Sequence, residues 1–216
     1  MIPTPDLSHL KREDYDHVYE PAEDTFILLD ALEQDASELR ELTPRVCLEI
    51  GPGSGCVTSF VGSILGTSCL YLTSDINAHA SLCALRTGRQ NKVVVDPVTA
   101  NLVDPFRSRL YRNVDLLIFN PPYVLTDELE VVDAQEQGGI AGAWAGGTIG
   151  MQVTDVVLDQ LDELLSPTGR FYLVAVKQND VHNLQRRVQE KFNVQSEVVL
   201  QRRAGREHLF VVRFMR

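Results

Sequence analysis

A chain of 216 residues that is 44% apolar has the length and content for one α/β domain with a full core. Its net charge of −10, from 30 acidic against 20 basic residues, argues against tight sequence-independent binding to duplex nucleic acid, where phosphate neutralisation dominates affinity. No apolar stretch approaches the ~20 residues of a membrane-spanning helix, and Met1–Asp6 lacks the basic and apolar regions of a secretory signal. A soluble protein of the cytoplasm, with the nucleus as a second compartment, is expected. Cys47, Cys56, Cys69 and Cys83 form no CxxC pair and the histidines no HxxxH pattern, so reduced, core-filling thiols are expected and no metal site.

Residues 1–17 are polar and read as an irregular N-terminal segment, with residues 18–216 as a single domain. A helix is predicted from Pro21, a good first-turn residue with Glu23 and Asp24 near its positive end, through Phe26, Leu29 and Leu32. The strand Val46–Ile50 leads into Gly51-Pro52-Gly53-Ser54-Gly55. A helix over 56–65, a strand over Cys69–Ser74, a helix over 78–90 and a strand over Lys92–Val98 follow. The apolar run Val114–Phe119 is short enough for a buried parallel strand and stops at Asn120-Pro121-Pro122-Tyr123. Val153, Val157, Leu161 and Leu164 mark a helix ended by Ser166-Pro167-Thr168-Gly169. Then come a strand over Arg170–Val176, a helix with Val181, Leu184 and Val188, and two strands near 194–201 and 207–214.

This alternation implies a Rossmann-like, mainly parallel α/β sheet covered on both faces. The last two strands are joined by Arg203-Ala204-Gly205-Arg206, of hairpin length, so the last strand runs antiparallel. Seven strands in this arrangement make a methyltransferase-type sheet with ligands at the carboxyl ends of its strands. Arg202, Arg203 and Arg206 read as a solvated hairpin rather than a basic patch. The connection from Val124 to Gly150 is glycine-rich and longer than the ~12–15 residues usual for a structureless link, which suits a substrate loop. Trp144, the sole tryptophan, is either its anchor or part of a substrate wall.

The prolines after Asn120 stop the strand and fix the backbone. The Asn120 amide oxygen and the Pro121 carbonyl can then point together into a site. Two acceptors side by side suit the two hydrogens of an NH₂ group, and Tyr123 offers a flat face beside them. Glu49 and the glycines at alternate positions after the first strand allow close backbone approach to a ligand. Their G-x-G-x-G spacing departs from the G-x-G-x-x-G of nicotinamide-binding domains. Asp75 stands at a strand end at the ~20-residue spacing where a carboxylate accepts from both ribose hydroxyls. That position points to an adenosine-type ligand, NAD or S-adenosylmethionine alike. Glu49 could meet the amino end of a methionine.

Taken together, Tyr19-Glu20-Pro21-Ala22-Glu23-Asp24-Thr25, Glu49–Gly55, Asn120–Tyr123 and Ala143-Trp144-Ala145-Gly146-Gly147 resemble the HemK-like amino methyltransferases. The match is to the eukaryotic and archaeal branch that methylates glutamine in class I translation release factors, and it runs from about Val18 to the C-terminus. The resemblance implies a class I S-adenosylmethionine-dependent methyltransferase acting on a release factor's Gly-Gly-Gln glutamine. It implies cofactor contacts from Thr25, Glu49, Gly51, Gly53, Asp75, Asn101, Leu102 and Asn120. It also implies catalysis by Asn120, Pro121, Pro122 and Tyr123, with Asn120, Tyr123 and Trp144 on the substrate. The family usually has Asp-Leu where this chain has Asn101-Leu102. A neutral amide can still accept from the adenine amino group, but weaker cofactor binding is expected. The resemblance further implies a heterodimer with a small zinc-binding activator subunit at the sheet edge near Val93–Val95. Lysine methylation is the nearer alternative; adenine methylation in DNA fits poorly with the charge, and a non-catalytic scaffold stays open because of Asn101.

Overall fold

The computed structural model describes residues 1–122 and 151–216. Tyr123, Trp144, the Ala143–Gly147 motif and the expected substrate loop lie outside the described residues. The strands β1 (Val46–Ile50), β2 (Leu70–Asp75), β3 (Val95–Thr99), β4 (Val114–Phe119), β5 (Leu165–Val176), β6 (Gln195–Ala204) and β7 (Glu207–Met215) form one sheet in the order β3-β2-β1-β4-β5-β7-β6. The pairs from β3 across to β5 are parallel. β7 runs antiparallel to both β5 and β6 and lies between them.

The central strands are apolar at nearly every position because both sheet faces are covered, and successive side chains point to opposite faces. Leu48, Leu117, Phe119, Phe171, Leu173, Val212 and Phe214 pack to one side against α6 (Gln152–Asp159), α7 (Leu161–Leu164) and α8 (Val181–Phe192). Cys47, Leu116, Ile118, Tyr172, Val174 and Val211 pack to the other, against α2 (Glu23–Gln34), α3 (Ala36–Leu42) and α4 (Cys56–Leu65). Among the described residues the remaining α-helices are α1 (Arg12–Tyr15) and α5 (Ala78–Gln90), the latter capped by Asn77, whose side chain accepts from the His79 amide at 2.8 Å.

Several expected boundaries move, each for a local reason. α2 begins at Glu23 instead of Pro21: Ala22 is still extended, and its N–H donates to Thr25 Oγ1 at 3.4 Å. β3 begins at Val95 instead of Lys92, because the Val93 N–H donates to Gly88 O at 2.8 Å at the end of α5 and leaves the ladder. Val93 turns inward, where Gly62 and Gly88 lie so close that a Cβ on Gly62 would strike its side chain and one on Gly88 its carbonyl. Ser166–Gly169, expected as a loop, belongs to the span of β5. The register against β4 slips between Val114↔Leu165 and Leu116↔Arg170, and a Cβ on Gly169 would sit 2.9 Å from Val114 O. The bulge takes up the turn residues without breaking the strand.

The first 17 residues carry one turn of helix, α1, and are tied down. Arg86 of α5 donates to Asp14 Oδ1 and to His9 O, each at 2.9 Å, and Asn77 Nδ2 donates to His17 O at 2.8 Å. Asp14, His79 and Cys83 offer donor atoms within 4.8 Å of one another, a juxtaposition that chain spacing hides. The Arg86 guanidinium neutralises that carboxylate, which makes the cluster an ion-paired tether. In the C-terminal hairpin Arg202 pairs with Asp30 of α2 at 2.5 Å, with both side chains partly exposed. All four cysteines are free and buried. Among the described residues no helix is long and apolar enough to cross a membrane.

Candidate active site

Strand order reverses between β1 and β4, and a crevice opens there at the carboxyl ends of the parallel strands. Thr25, Glu49, Gly51, Gly53, Asp75, Asn101, Leu102, Asn120, Pro121 and Pro122 all line this one pocket, together with Val18, Tyr19 and Asp24. Tyr123 and Trp144 lie outside the described residues.

The turn after β1 needs its glycines. Gly51 and Gly53 have φ of 65° and 50°, a left-handed backbone that side chains rarely adopt. The Gly51 N–H donates to Ser74 O at 2.8 Å, which ties the turn to β2. Gly55, left-handed as well with φ of 77°, serves a second purpose: a Cβ there would come within 2.5 Å of Ala84 Cα, so it permits α4 and α5 to pack closely.

Two carboxylates face the pocket from neighbouring strand ends. Glu49 is 2% exposed, and its Oε2 accepts from the Thr58 N–H at 2.9 Å and from the Thr58 hydroxyl. Burial pushes its carboxyl up to about 7 against the pull of those two bonds, and the nearby Asp75 charge adds to the rise. Desolvation likewise raises Asp75 to about 6, although the Asn77 N–H at 2.9 Å and the Gly53 N–H at 3.5 Å both favour its charged form. Two carboxylates held uncomfortably in a desolvated wall call for a cation and for hydroxyl donors.

At the end of β4, the strand beside that of Glu49, Asn120 Nδ2 donates to Asp24 Oδ2 at 3.0 Å. Asp24 Oδ1 accepts from the Thr25 N–H at 2.7 Å and from the Tyr19 hydroxyl at 3.2 Å. Asn120 Oδ1 is buried and has no hydrogen-bond partner among the described residues. Asn101 sits exposed on the rim. Leu102 has φ of 45°, an uncommon conformation for a side-chain-bearing residue, and its carbonyl accepts from the Ser74 hydroxyl. The family resemblance placed Thr25 in this pocket, but Asp24 was read only as a first-turn helix acid and Thr58 was given no role. Their signal was present, in the acidic first turn of α2 and in the residues following Gly55, yet a pairing across 96 positions of chain is visible only after folding.

A seven-stranded sheet of this order, with an acidic, glycine-lined crevice at its switch point, defines a class I S-adenosylmethionine-dependent methyltransferase. The donors and acceptors present fit that cofactor: Glu49 for an amino group, Asp75 for ribose hydroxyls, and Asn101 with Leu102 for adenine. No protein-family model matches the chain. It is 46% identical over 213 residues to Methyltransferase HEMK2 of Mus musculus, covering 99% of this chain and 96% of that protein. It is 41% identical over 228 residues to the eRF1 methyltransferase catalytic subunit mtq2 of Schizosaccharomyces pombe, covering 100% and 96%. Among solved structures, the E. cuniculi Mtq2–Trm112 complex shares the fold, with a TM-score of 0.64, 24% identity, and coverage of 92% of this chain and 98% of that one. The chain belongs to the HEMK2/Mtq2 family of methyltransferases.

Proposed function

We propose that this chain methylates the side-chain amide nitrogen of a glutamine in a protein, the Gly-Gly-Gln glutamine of a class I release factor. The observation that carries the reading is Asn120 Oδ1, buried without a hydrogen-bond partner among the described residues, in the pocket that Pro121 also lines. S-adenosylmethionine, when bound, supplies an electrophilic methyl group on its sulfonium. An amide nitrogen is a poor nucleophile because its lone pair is delocalised. Asn120 Oδ1 and the Pro121 carbonyl accept one hydrogen bond each from the substrate NH₂ and turn the nitrogen toward the methyl. Both acceptors gain strength as positive charge develops on that nitrogen, so their contribution is largest in the transition state. Pro121 and Pro122 hold the backbone still while this happens. Tyr123 and Trp144 are assigned to the substrate side by the family resemblance.

The same acceptors would receive an amine, which keeps lysine as the second reading. The likeness to an eRF1 methyltransferase and, at 29% identity over 173 residues, to a putative protein N5-glutamine methyltransferase of Methanocaldococcus jannaschii favours glutamine. A small zinc-binding activator subunit is proposed to cover the β3 edge. In support, β3 is an edge strand, Val94 beside it is 84% exposed, and the E. cuniculi neighbour was solved as a complex with Trm112. Unpaired cysteines and a translation-termination substrate support the cytoplasm as the compartment, with the nucleus as a second.

Radiolabelled methyl transfer tests the reading. The chain, co-expressed with a small activator subunit, is offered a release factor with its Gly-Gly-Gln glutamine intact or replaced by alanine. Label should appear only with the intact factor. Asn120→Ala should lower kcat on the order of 1,000-fold while leaving the circular dichroism unchanged. Label on the alanine-substituted factor would overturn the glutamine assignment.

A further inference from the structure

An asparagine amide is two-faced, with an acceptor oxygen and a donor NH₂ of nearly equal size, and only one orientation of Asn120 suits a substrate NH₂. Turned over, it would set its own donors against the substrate's. The strand and the prolines fix where the amide sits but not which way round it lies. Across the pocket wall, on the first turn of α2, an acceptor-only carboxylate stands 3.0 Å from Asn120 Nδ2. We propose that Asp24 is the positioning residue that sets the Asn120 amide with its oxygen toward the substrate nitrogen. The inference rests on the reading of Asn120 as the substrate-amide holder.

Asp24 is built to hold its own place. It is 4% exposed, stands in the first turn of α2, and its Oδ1 is anchored by the Thr25 N–H at 2.7 Å and the Tyr19 hydroxyl at 3.2 Å. Its Oδ2 accepts from the amide of Asn120. A carboxylate on the NH₂ side of an amide also pushes electron density onto its oxygen, since hydrogen bonds in a chain polarise one another. Asn120 Oδ1 thereby becomes a better acceptor as the substrate N–H bonds turn acidic. The effect belongs to the transition state more than to the bound substrate, so it should appear in kcat rather than in KM.

The isosteric Asp24→Asn variant separates this role from simple helix capping. An amide at position 24 can keep its oxygen on the Thr25 N–H, but its NH₂ then faces the Asn120 NH₂ and favours the wrong orientation. We expect kcat to fall on the order of 100-fold, with KM for the release factor and the dissociation constant for S-adenosylmethionine within about threefold of the parent. Asn120→Asp alone sets two carboxylates against each other and should also be slow. Combining the two substitutions restores a donor at 24 facing an acceptor at 120, and should recover about tenfold over Asn120→Asp. A helix cap cannot produce that recovery. Unchanged kcat in Asp24→Asn, loss of cofactor affinity in step with kcat, or a double variant no faster than Asn120→Asp would each overturn the proposal. Failure of the parent enzyme to label the release factor would instead overturn the proposed function. An active parent with an inactive Asn120→Ala and a fully active Asp24→Asn would overturn the positioning role alone.

Discussion

The carboxylates that line the pocket are used in opposite ways. Glu49 and Asp75 occupy neighbouring strand ends with little charge compensation, and burial lifts them to about 7 and about 6. Asp24, buried to a similar degree as Glu49, turns its oxygens to groups of the chain itself: Thr25, Tyr19 and Asn120. The first pair keeps binding capacity for a ligand, whereas the third spends its capacity on orienting another side chain. What a buried acid does here is decided by how many donors the fold has already aimed at it.

The largest effect that would sharpen this contrast, outside the Asn120 and Asp24 series, is at Glu49. Glu49→Gln keeps an acceptor for Thr58 but removes the charge that would face an amino group. The dissociation constant for S-adenosylmethionine should rise about 10–100-fold, from the ~1.5–3 kcal/mol of a charge-assisted hydrogen bond, with kcat at saturation within a few-fold. Calorimetric titration and initial rates measure the two separately. A drop in kcat at unchanged affinity would erase the division between the two kinds of carboxylate.

A pH series gives a smaller, graded effect. Both raised carboxyls are protonated at low pH and must ionise to receive a cation and ribose hydroxyls. Cofactor affinity should therefore increase as pH rises from about 5 to 8, with proton release on binding near pH 6.5. Titrations in two buffers of different ionisation enthalpy would reveal those protons. For the cofactor-free protein the sign is reversed. A folded value of about 7 for Glu49, against an ordinary 4.5, means stability is highest below the ordinary value and is lost as pH rises through the folded one. Thermal melts of the free protein should decline over that window, and less so in Glu49→Gln. Flat affinity across the range would show that the carboxylates do not meet the ligand.

The smallest effect is on the rim. Asn101→Asp should tighten S-adenosylmethionine only about threefold, because the position is exposed and a charge there is screened by solvent. No gain at all would mean that the adenine amino group is held elsewhere.

Much of this architecture was legible before folding. Val114–Phe119 followed by Asn120-Pro121-Pro122 reads as a buried strand with an abrupt end, and β4 stops at Phe119. The predicted helices over 56–65 and 78–90 coincide with α4 and α5, whose first residues follow the glycine turn and the Asn77 cap. Where reading failed, tertiary contacts had overruled local pattern. Lys92–Val94 looked like strand, but Val93 is drawn into the space left by Gly62 and Gly88, so the ladder starts later. Ser166-Pro167-Thr168-Gly169 looked like a loop, yet a bulge against Val114 absorbs it into β5.

By itself the sequence determined the alternation of elements, the glycine turn, the strand-end acid at Asp75 and the amide at Asn120, because each depends on neighbouring residues and on short-range backbone preferences. Only the tertiary structure decided that β7 inserts between β5 and β6, that Thr58 anchors Glu49, and that Asp24 reaches Asn120. Asp24 and Asn120 are 96 positions apart and Thr58 nine from Glu49, and neither spacing leaves a periodicity that marks the pair. Such a hydrogen bond, like the pairing of β7 with β5, exists only once packing has brought donor and acceptor within 3 Å or so.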